Sequence, residues 1–206
     1  MLIAVIFYFS ESGDRLKQKH YQAWQVINTA QGKGGSGGRL EALQELNHDG
    51  VPLVGVDVSG AFLQSVHLER ARLLRSNFSS ADLRDADFKF ADFSDAELRT
   101  ANFRGGHLQG ADFQRADMDD ADLTEANLSG ANLSGANLMD ADLDGANLSG
   151  AILEDADLRN ASVSNMRWRE LRSVKNANIY GVKNAPEGFV AWAKQSGAVE
   201  SKSSSQ

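Results

Sequence analysis

The sequence predicts an all-β solenoid, and three observations carry that prediction. From Val51 to Glu170 the chain runs through 24 consecutive five-residue units without an insertion, Ala opens 18 of them, and the third residue of every unit is apolar. Neither standard element can use a period of five. On a helix, at about 100° per residue, apolar groups five apart would spiral around every side, and on a strand they would alternate faces. Each unit is therefore one side of a coil. If four units close a roughly square turn, Leu53, Leu73, Phe93, Phe113, Leu133 and Leu153 stack in one column, and three other columns form likewise. Stacking buries what one unit cannot bury alone.

The stretch ADLTEANLSGANLSGANLMDADLDGANLSG closely resembles the pentapeptide-repeat family, and the resemblance covers residues 51 to about 170. It implies a right-handed quadrilateral β-helix, with the Leu or Phe pointing inward and the Ala tucked beside it. The residues support the same picture independently, because a narrow interior has room for one large side chain and one methyl per segment. The 24 units make about six coils, or roughly 29 Å of rod at an inter-strand spacing of about 4.8 Å. Residues 51–176 are expected to form this rod.

Composition fits a soluble chain of one or two domains, with 42% apolar and 24% charged residues over 206 positions. The absence of Cys excludes a disulfide framework and thiolate chemistry. A net charge of −7 disfavours direct binding to nucleic-acid phosphates and suits a basic protein partner.

Residues 1–50 are a different kind of sequence. The apolar run Leu2 to Phe9 has only eight residues, about 12 Å as a helix against a hydrocarbon core of about 30 Å, so it cannot span a bilayer alone. It also lacks the basic start and small-residue cleavage site of a signal peptide. Two readings stay open for residues 1–10: a short strand or helix packed on the rod, or the end of a membrane anchor whose upstream part is missing. Arg15, Lys17 and Lys19 follow at once, and under the positive-inside rule they place the rod in the cytoplasm, at the inner-membrane face if anchored. Residues 14–30 read as an amphipathic helix with Leu16, Ala23, Trp24, Ile27 and Ala30 on one stripe, packed on the first coil or offered to a partner. GKGGSGG at Gly32 to Gly38 lacks the spacing of a phosphate loop and reads as a linker. Arg39 to Asn47 is expected to form a second helix, carrying Leu40, Leu43 and Leu46, that covers the open edge of the first coil.

The other end calls for a similar device. After Trp168 the register slips by one residue, and Ala177, Asn178 and Ile179 fit the pattern again out of phase. Residues 177–200 are expected to hold a capping helix opened by Pro186 and stopped by Gly197, with Phe189, Trp192 and Ala193 on one face. Phe189 and Trp192 either cap the last coil or form a homodimer contact, an alternative suggested by family members that dimerise through a C-terminal element. Residues 201–206 read as a disordered tail.

Catalysis finds no support, and neither a catalytic residue, a metal site nor a cofactor is expected. His67, Asp87 and His107 share one column but lack the convergent ligands a metal needs. The segment from Asp140 resembles the start of a calcium loop but has Ala151 at its twelfth position.

The feature that stands out is charge. Asp117, Asp119, Asp120, Asp122, Glu125, Asp140, Asp142 and Asp144 fall on two adjacent faces of the fourth and fifth coils, with no Lys or Arg between Ala116 and Gly145. Two function classes follow: a non-catalytic scaffold rod that presents its faces to a protein partner, and a protein that resembles duplex DNA in shape and charge and occupies the DNA site of a type II topoisomerase such as gyrase. The second rests on the resemblance to family members that protect the enzyme in this way. Arg70, Arg72, Arg75, Arg84, Arg99 and Arg104 in the earlier coils speak against it.

Overall fold

The structure is a computed structural model that describes residues 2–30 and 36–202, with side chains described from Gly13 onward. Its body is a coil whose sides are five residues long and whose successive turns are joined by parallel bridges between residues twenty apart. One face carries the ladder Arg72, Asp92, Asp112, Asn132, Ile152, a second Asp57, Asn77, Glu97, Asp117, Asn137, Asp157, a third Phe62, Asp82, Asn102, Asp122, Asp142, Ser162, and a fourth His67, Asp87, His107, Asn127, Asn147, Arg167. The bonding is repetitive. The N–H of each third residue donates to the second residue one coil on, as in Leu123 to Asp142 at 2.7 Å, and the N–H of each second residue donates back to a first residue, as in Asp142 to Ala121 at 2.9 Å.

This geometry explains the five-residue pattern. First and third residues are buried along the whole rod, from Leu53 and Ala61 to Ala161 and Val163. Phe78, Phe88, Phe93, Phe103 and Phe113 gather in the first half of the interior, where Phe93 stacks on Phe113 at 5.2 Å and meets Phe88 at 5.0 Å. Fourth and fifth residues turn the corner, and the fifth adopts a left-handed backbone, as at Asp120 (φ 57°) and Phe90 (φ 58°). That region favours Gly, Asn and Asp, which explains their frequency there. The second residue has a role that its exposure conceals. Where it is Asp or Asn, its Oδ1 accepts the N–H two residues on, as Asp122 does from Thr124 at 2.9 Å and Asn127 from Ser129 at 3.1 Å, fixing the turn.

Three helices flank the coil: α1 (Leu2–Thr29), α2 (Arg39–His48) and α3 (Phe189–Gln195). The N-terminal apolar run and the expected helix over residues 14–30 are thus a single α1. Gly13 alone, at about 1 kcal/mol against Ala, does not interrupt a helix free of Pro. The buried stripe is also narrower than expected. Ala23 and Ile27 are buried, Trp24 is half-buried, and Leu16 is 45% exposed. Among the helices α1 packs on α2, tied by Lys19 Nζ and His20 Nε2, each 3.0 Å from Asp49 Oδ2 at the end of α2. Of the expected Gly-rich linker, residues 32–35 lie outside the described residues. Gly37 and Gly38 lead into α2 with left-handed φ of 52° and 81°.

Leu43 and Leu46 of α2 are buried with the first coil in one core, while Leu40 is partly buried. Two side chains of this segment satisfy groups that a preceding coil would otherwise serve. Gln44 Oε1 accepts the His67 N–H at 2.8 Å, and Asn47 Nδ2 donates to the Glu69 carbonyl at 3.1 Å.

At the far end the repeat distance changes from 20 to 21 residues: Asn147 pairs with Arg167, but Ile152 pairs with Ser173, Asp157 with Asn178 and Ser162 with Lys183. Coil geometry therefore continues to Lys183, beyond the expected boundary at residue 176. Within the segment 177–200 the helix is confined to Phe189–Gln195, with Gly188 (φ 82°) as its N-cap. Pro186 stands one turn before it and accepts the Phe189 N–H at 3.1 Å. After α3 the chain returns to the rod, where Val199 pairs with Asn178. Ser201 is held by two bonds with the Asn178 side chain, at 2.8 and 3.1 Å, so the tail is anchored at its first residue, and residues 203–206 lie outside the described residues.

Candidate functional site

The eight acidic residues singled out by the sequence lie on the second and third faces and the corners beside them. Asp117 stands on the second face, and Asp122 pairs directly with Asp142 on the third. Asp119 and Asp120 turn one corner, with Asp140 one coil above Asp120, while Glu125 and Asp144 turn the next. All eight side chains are half-buried or exposed.

Their roles differ. Asp122 and Asp142 each spend one oxygen on a turn N–H, from Thr124 and Asp144 at 2.9 Å. Asp144 Oδ1 accepts from the Ser162 hydroxyl at 2.6 Å and the Ser164 N–H at 2.8 Å. Asp117 accepts from Asn137 Nδ2 at 2.8 Å. Burial pushes the Asp119 carboxyl above the ordinary carboxylate range, its acidic neighbours Asp117, Asp140 and Asp120 push the same way, and Arg99 opposes them. Ionising Asp119 is therefore harder there than in water, chiefly because it is partly buried.

The patch is also rimmed by cations that its own sequence window lacks. Arg99 reaches Asp117 at 2.5 Å and Asp119 at 3.8 Å, Arg104 reaches Glu125 at 3.6 Å, and Lys183 reaches Asp140 at 3.7 Å. Arg99 and Arg104 come from the coil before, and Lys183 from two turns beyond Asp140. These exposed pairs lower the net charge of the patch without removing it, and Asp120, Asp122 and Asp142 make no ion pair among the described residues. Of the four sides that the fourth and first faces give these two coils, three, at Asn127 and Ser129, Asn132 and Ser134, and Asn147 and Ser149, are uncharged, while the first face of the fourth coil carries Asp112 and Arg115.

At the far end Phe189 is fully buried and Trp192 partly buried, and their rings sit 5.5 and 5.2 Å from that of Trp168. Phe189 is committed to its own core. His67, Asp87 and His107 do form one ladder. Asp87 is held by Lys89 Nζ at 2.8 Å, and among the described residues no group of three or more His, Asp or Glu is placed to hold a metal ion.

The model for pentapeptide repeats matches this chain in overlapping copies that together span residues 53–167, more than half of its length. The chain belongs to the pentapeptide-repeat family. Proteins of this family fold as right-handed quadrilateral β-helices, and they are generally non-enzymatic structural or interaction proteins. Among solved structures, the chain is similar to Rfr23, a pentapeptide repeat protein of the cyanobacterium Cyanothece 51142, at 27% identity over 56% of this chain and 89% of Rfr23, with a TM-score of 0.50. It is similar to HetL, a pentapeptide repeat protein involved in heterocyst differentiation regulation in the cyanobacterium Nostoc sp. strain PCC 7120, at 28% identity over 63% of this chain and 62% of HetL, with a TM-score of 0.46. The chain thus spans less than two thirds of HetL. QnrB1, a plasmid-mediated fluoroquinolone resistance protein, is 27% identical over 66% of this chain and 71% of its own, with a TM-score of 0.33. No curated protein sequence matches the chain.

Proposed function

We propose that this pentapeptide-repeat protein is a non-catalytic interaction rod of about six coils, closed by helical elements at both ends, which meets a basic protein partner through its acidic second and third faces. The observation that carries this reading is the placement of Asp117, Asp120, Asp122, Asp140 and Asp142 on adjoining faces of two successive coils, with cations only at the rim. A rigid ladder holds such charges in place at little entropic cost on binding. Charge complementarity of this kind steers encounter and depends on salt, because exposed charges are screened over about 8 Å at physiological ionic strength. Residues 1–10 would hold the rod at the cytoplasmic face of a membrane. The Asp122–Asp142 column favours one second reading, a duplex-DNA mimic that occupies a type II topoisomerase such as gyrase.

One variant tests both. Replacing Asp117, Asp120, Asp122 and Asp142 with Asn should preserve the fold, since Asn already serves as the turn acceptor at Asn127 and Asn147 and suits the left-handed corner at position 120. The wild-type rod, immobilised, should retain a basic partner from its native host at low salt and release it as salt rises, and the fourfold variant should retain none. Equal retention by the two rods would end the acidic-face reading. Unchanged supercoiling by purified gyrase at tens of micromolar rod would end the mimic while leaving the scaffold standing.

A further inference from the structure

The two ends of the fourth face are finished differently. At the first coil α2 supplies side chains that stand in for a missing neighbour, Gln44 for the His67 N–H and Asn47 for the Glu69 carbonyl. At the last coil no side chain among the described residues stands in this way for the side formed by residues 166–170. Along this face every earlier third-residue N–H donates to the coil above, as Leu108 does to Asn127, Leu128 to Asn147 and Leu148 to Arg167, and every earlier first-residue carbonyl accepts from it, as Ala126 does from Asn147 and Ala146 from Arg167. Trp168 N–H and Met166 C=O occupy the same positions one coil later, and neither has a hydrogen-bond partner among the described residues. Repetition of the ladder aims both away from the rod. Here the chain leaves its coil, passing from Pro186 into α3, whose Phe189 ring lies 5.5 Å from that of Trp168.

The unsealed side is hollow and basic. A depression of about 330 Å³ is lined by Ser149, Met166, Arg167, Trp168, Arg169 and Glu170. Arg167 and Arg169 are exposed, and neither makes an ion pair among the described residues. The Arg169 guanidinium lies 5.2 Å from the centre of the Trp168 ring, which leaves its donors free to turn outward. Among these lining residues Glu170 at the corner is the one opposing charge.

We propose that this edge accepts an extended acidic peptide segment of a partner protein, which adds one more parallel side to the fourth face. The ladder fixes the register. One peptide residue would donate its N–H to Met166 C=O and accept the Trp168 N–H on its own carbonyl, as Arg167 does with Ala146 and Leu148 in the coil below. Its side chain then stands over Arg167, at the strand spacing of about 4.8 Å, and the side chain two residues on stands over Arg169. The residue between them points inward toward the ring cluster of Trp168, Phe189 and Trp192 and has to be small. The recognised pattern is acidic, small, acidic. This binding mode is independent of the acidic faces and remains available whether or not they have a partner.

The test uses the full chain and the probe acetyl-Asp-Glu-Ala-Glu-Asp-amide. Amide exchange followed by NMR should show the Trp168 N–H exchanging freely in the unbound protein and slowed at least tenfold by the peptide. Methylating the nitrogen of the first Glu, or replacing both Glu by Lys, should abolish the effect, and R167A with R169A should weaken it at least tenfold while leaving the melting temperature unchanged. Binding without protection at Trp168 would reveal mere charge attraction and overturn the proposal, as would no binding at millimolar peptide. Protection of Trp168 that instead rises with protein concentration alone would assign the edge to a second copy of this chain, and would overturn it as well.

Discussion

Phe90 and Phe93 are three residues apart, and the coil gives them opposite fates, so replacing each with Ala tests the five-residue register directly. Phe93 is fully buried, and its ring lies 5.0 Å from Phe88, 5.2 Å from Phe113, 5.6 Å from Phe78 and 6.2 Å from Phe103. Truncating a buried Phe costs about 3–5 kcal/mol in transfer and cavity terms. Each aromatic pair adds about 0.5–1.5 kcal/mol beyond area burial, and a rod interior walled by hydrogen-bonded backbone has little freedom to collapse, so the upper end, about 4–5 kcal/mol, is expected for Phe93→Ala. At about 2–4 °C per kcal/mol for a chain of this size, the melting temperature should fall by roughly 8–20 °C. Phe90 sits on a corner, 55% exposed, with Arg70 lying 5.4 Å from its ring centre. Phe90→Ala keeps the left-handed backbone and loses one exposed cation–π contact, about 0.5–1 kcal/mol, or roughly 1–4 °C. Thermal melts followed by far-UV circular dichroism on the two purified variants decide the matter. Equal losses, or a larger loss at Phe90, would refute the assignment of third residues to the interior.

Two further outcomes concern α1. Hydrogen bonds from His20 and Lys19 hold the Asp49 carboxyl below the ordinary carboxylate range, so the contact stabilises the native state above the unfolded-state pKa and is lost as pH falls through the lower folded value; the protection of amides 19–29 relative to their intrinsic exchange rate should therefore fall below that pH, and Asp49→Asn should show the reduced protection already at pH 7, whereas a variant indistinguishable from wild type would remove the latch. A chain beginning at Gly13 should melt with the full-length protein, because the described packing of α1 resides in Ala23 and Ile27, and it should lose any sedimentation with membranes; a lowered melting temperature would instead show that residues 1–12 support the fold.

The interior was legible because a five-residue period admits few architectures, and once four units close a coil every column can be counted. The slip after Trp168 was legible for the same reason, since Ala177 and Ile179 are one residue late. What escaped lay in features with no period. The joining of residues 2–29 into one helix turns on a single Gly that fails to break it. The hold of Asn178 on Ser201 links a coil to a segment whose composition reads as a tail. The turn bonds of Asp122 and Asp142 were hidden by their charge, although the interchange of Asp and Asn at second positions was a signal that the shared carbonyl-type oxygen, and not the charge, is what the turn requires.

An Asp at a second position is explained by the turn, so it carries functional weight only where its charge is also left without a partner. Column counting finds the partners: Arg115 meets Asp95 twenty residues earlier at 2.6 Å, and Arg99 meets Asp119 twenty residues later at 3.8 Å, although neither pair is close in sequence. By the same count the cations near the acidic faces occupy the coils on either side of Asp120, Asp122 and Asp142, and those three carboxylates are left without an ion pair among the described residues. The C-terminal side around Arg167 and Arg169 is the reverse case, with cations that the column leaves unmatched among the described residues because the fourth face gains no further side. In a solenoid both kinds of surplus are set by position along the ladder, which is why the candidate surfaces lie where a run of like charge outlasts its neighbours and where the ladder stops.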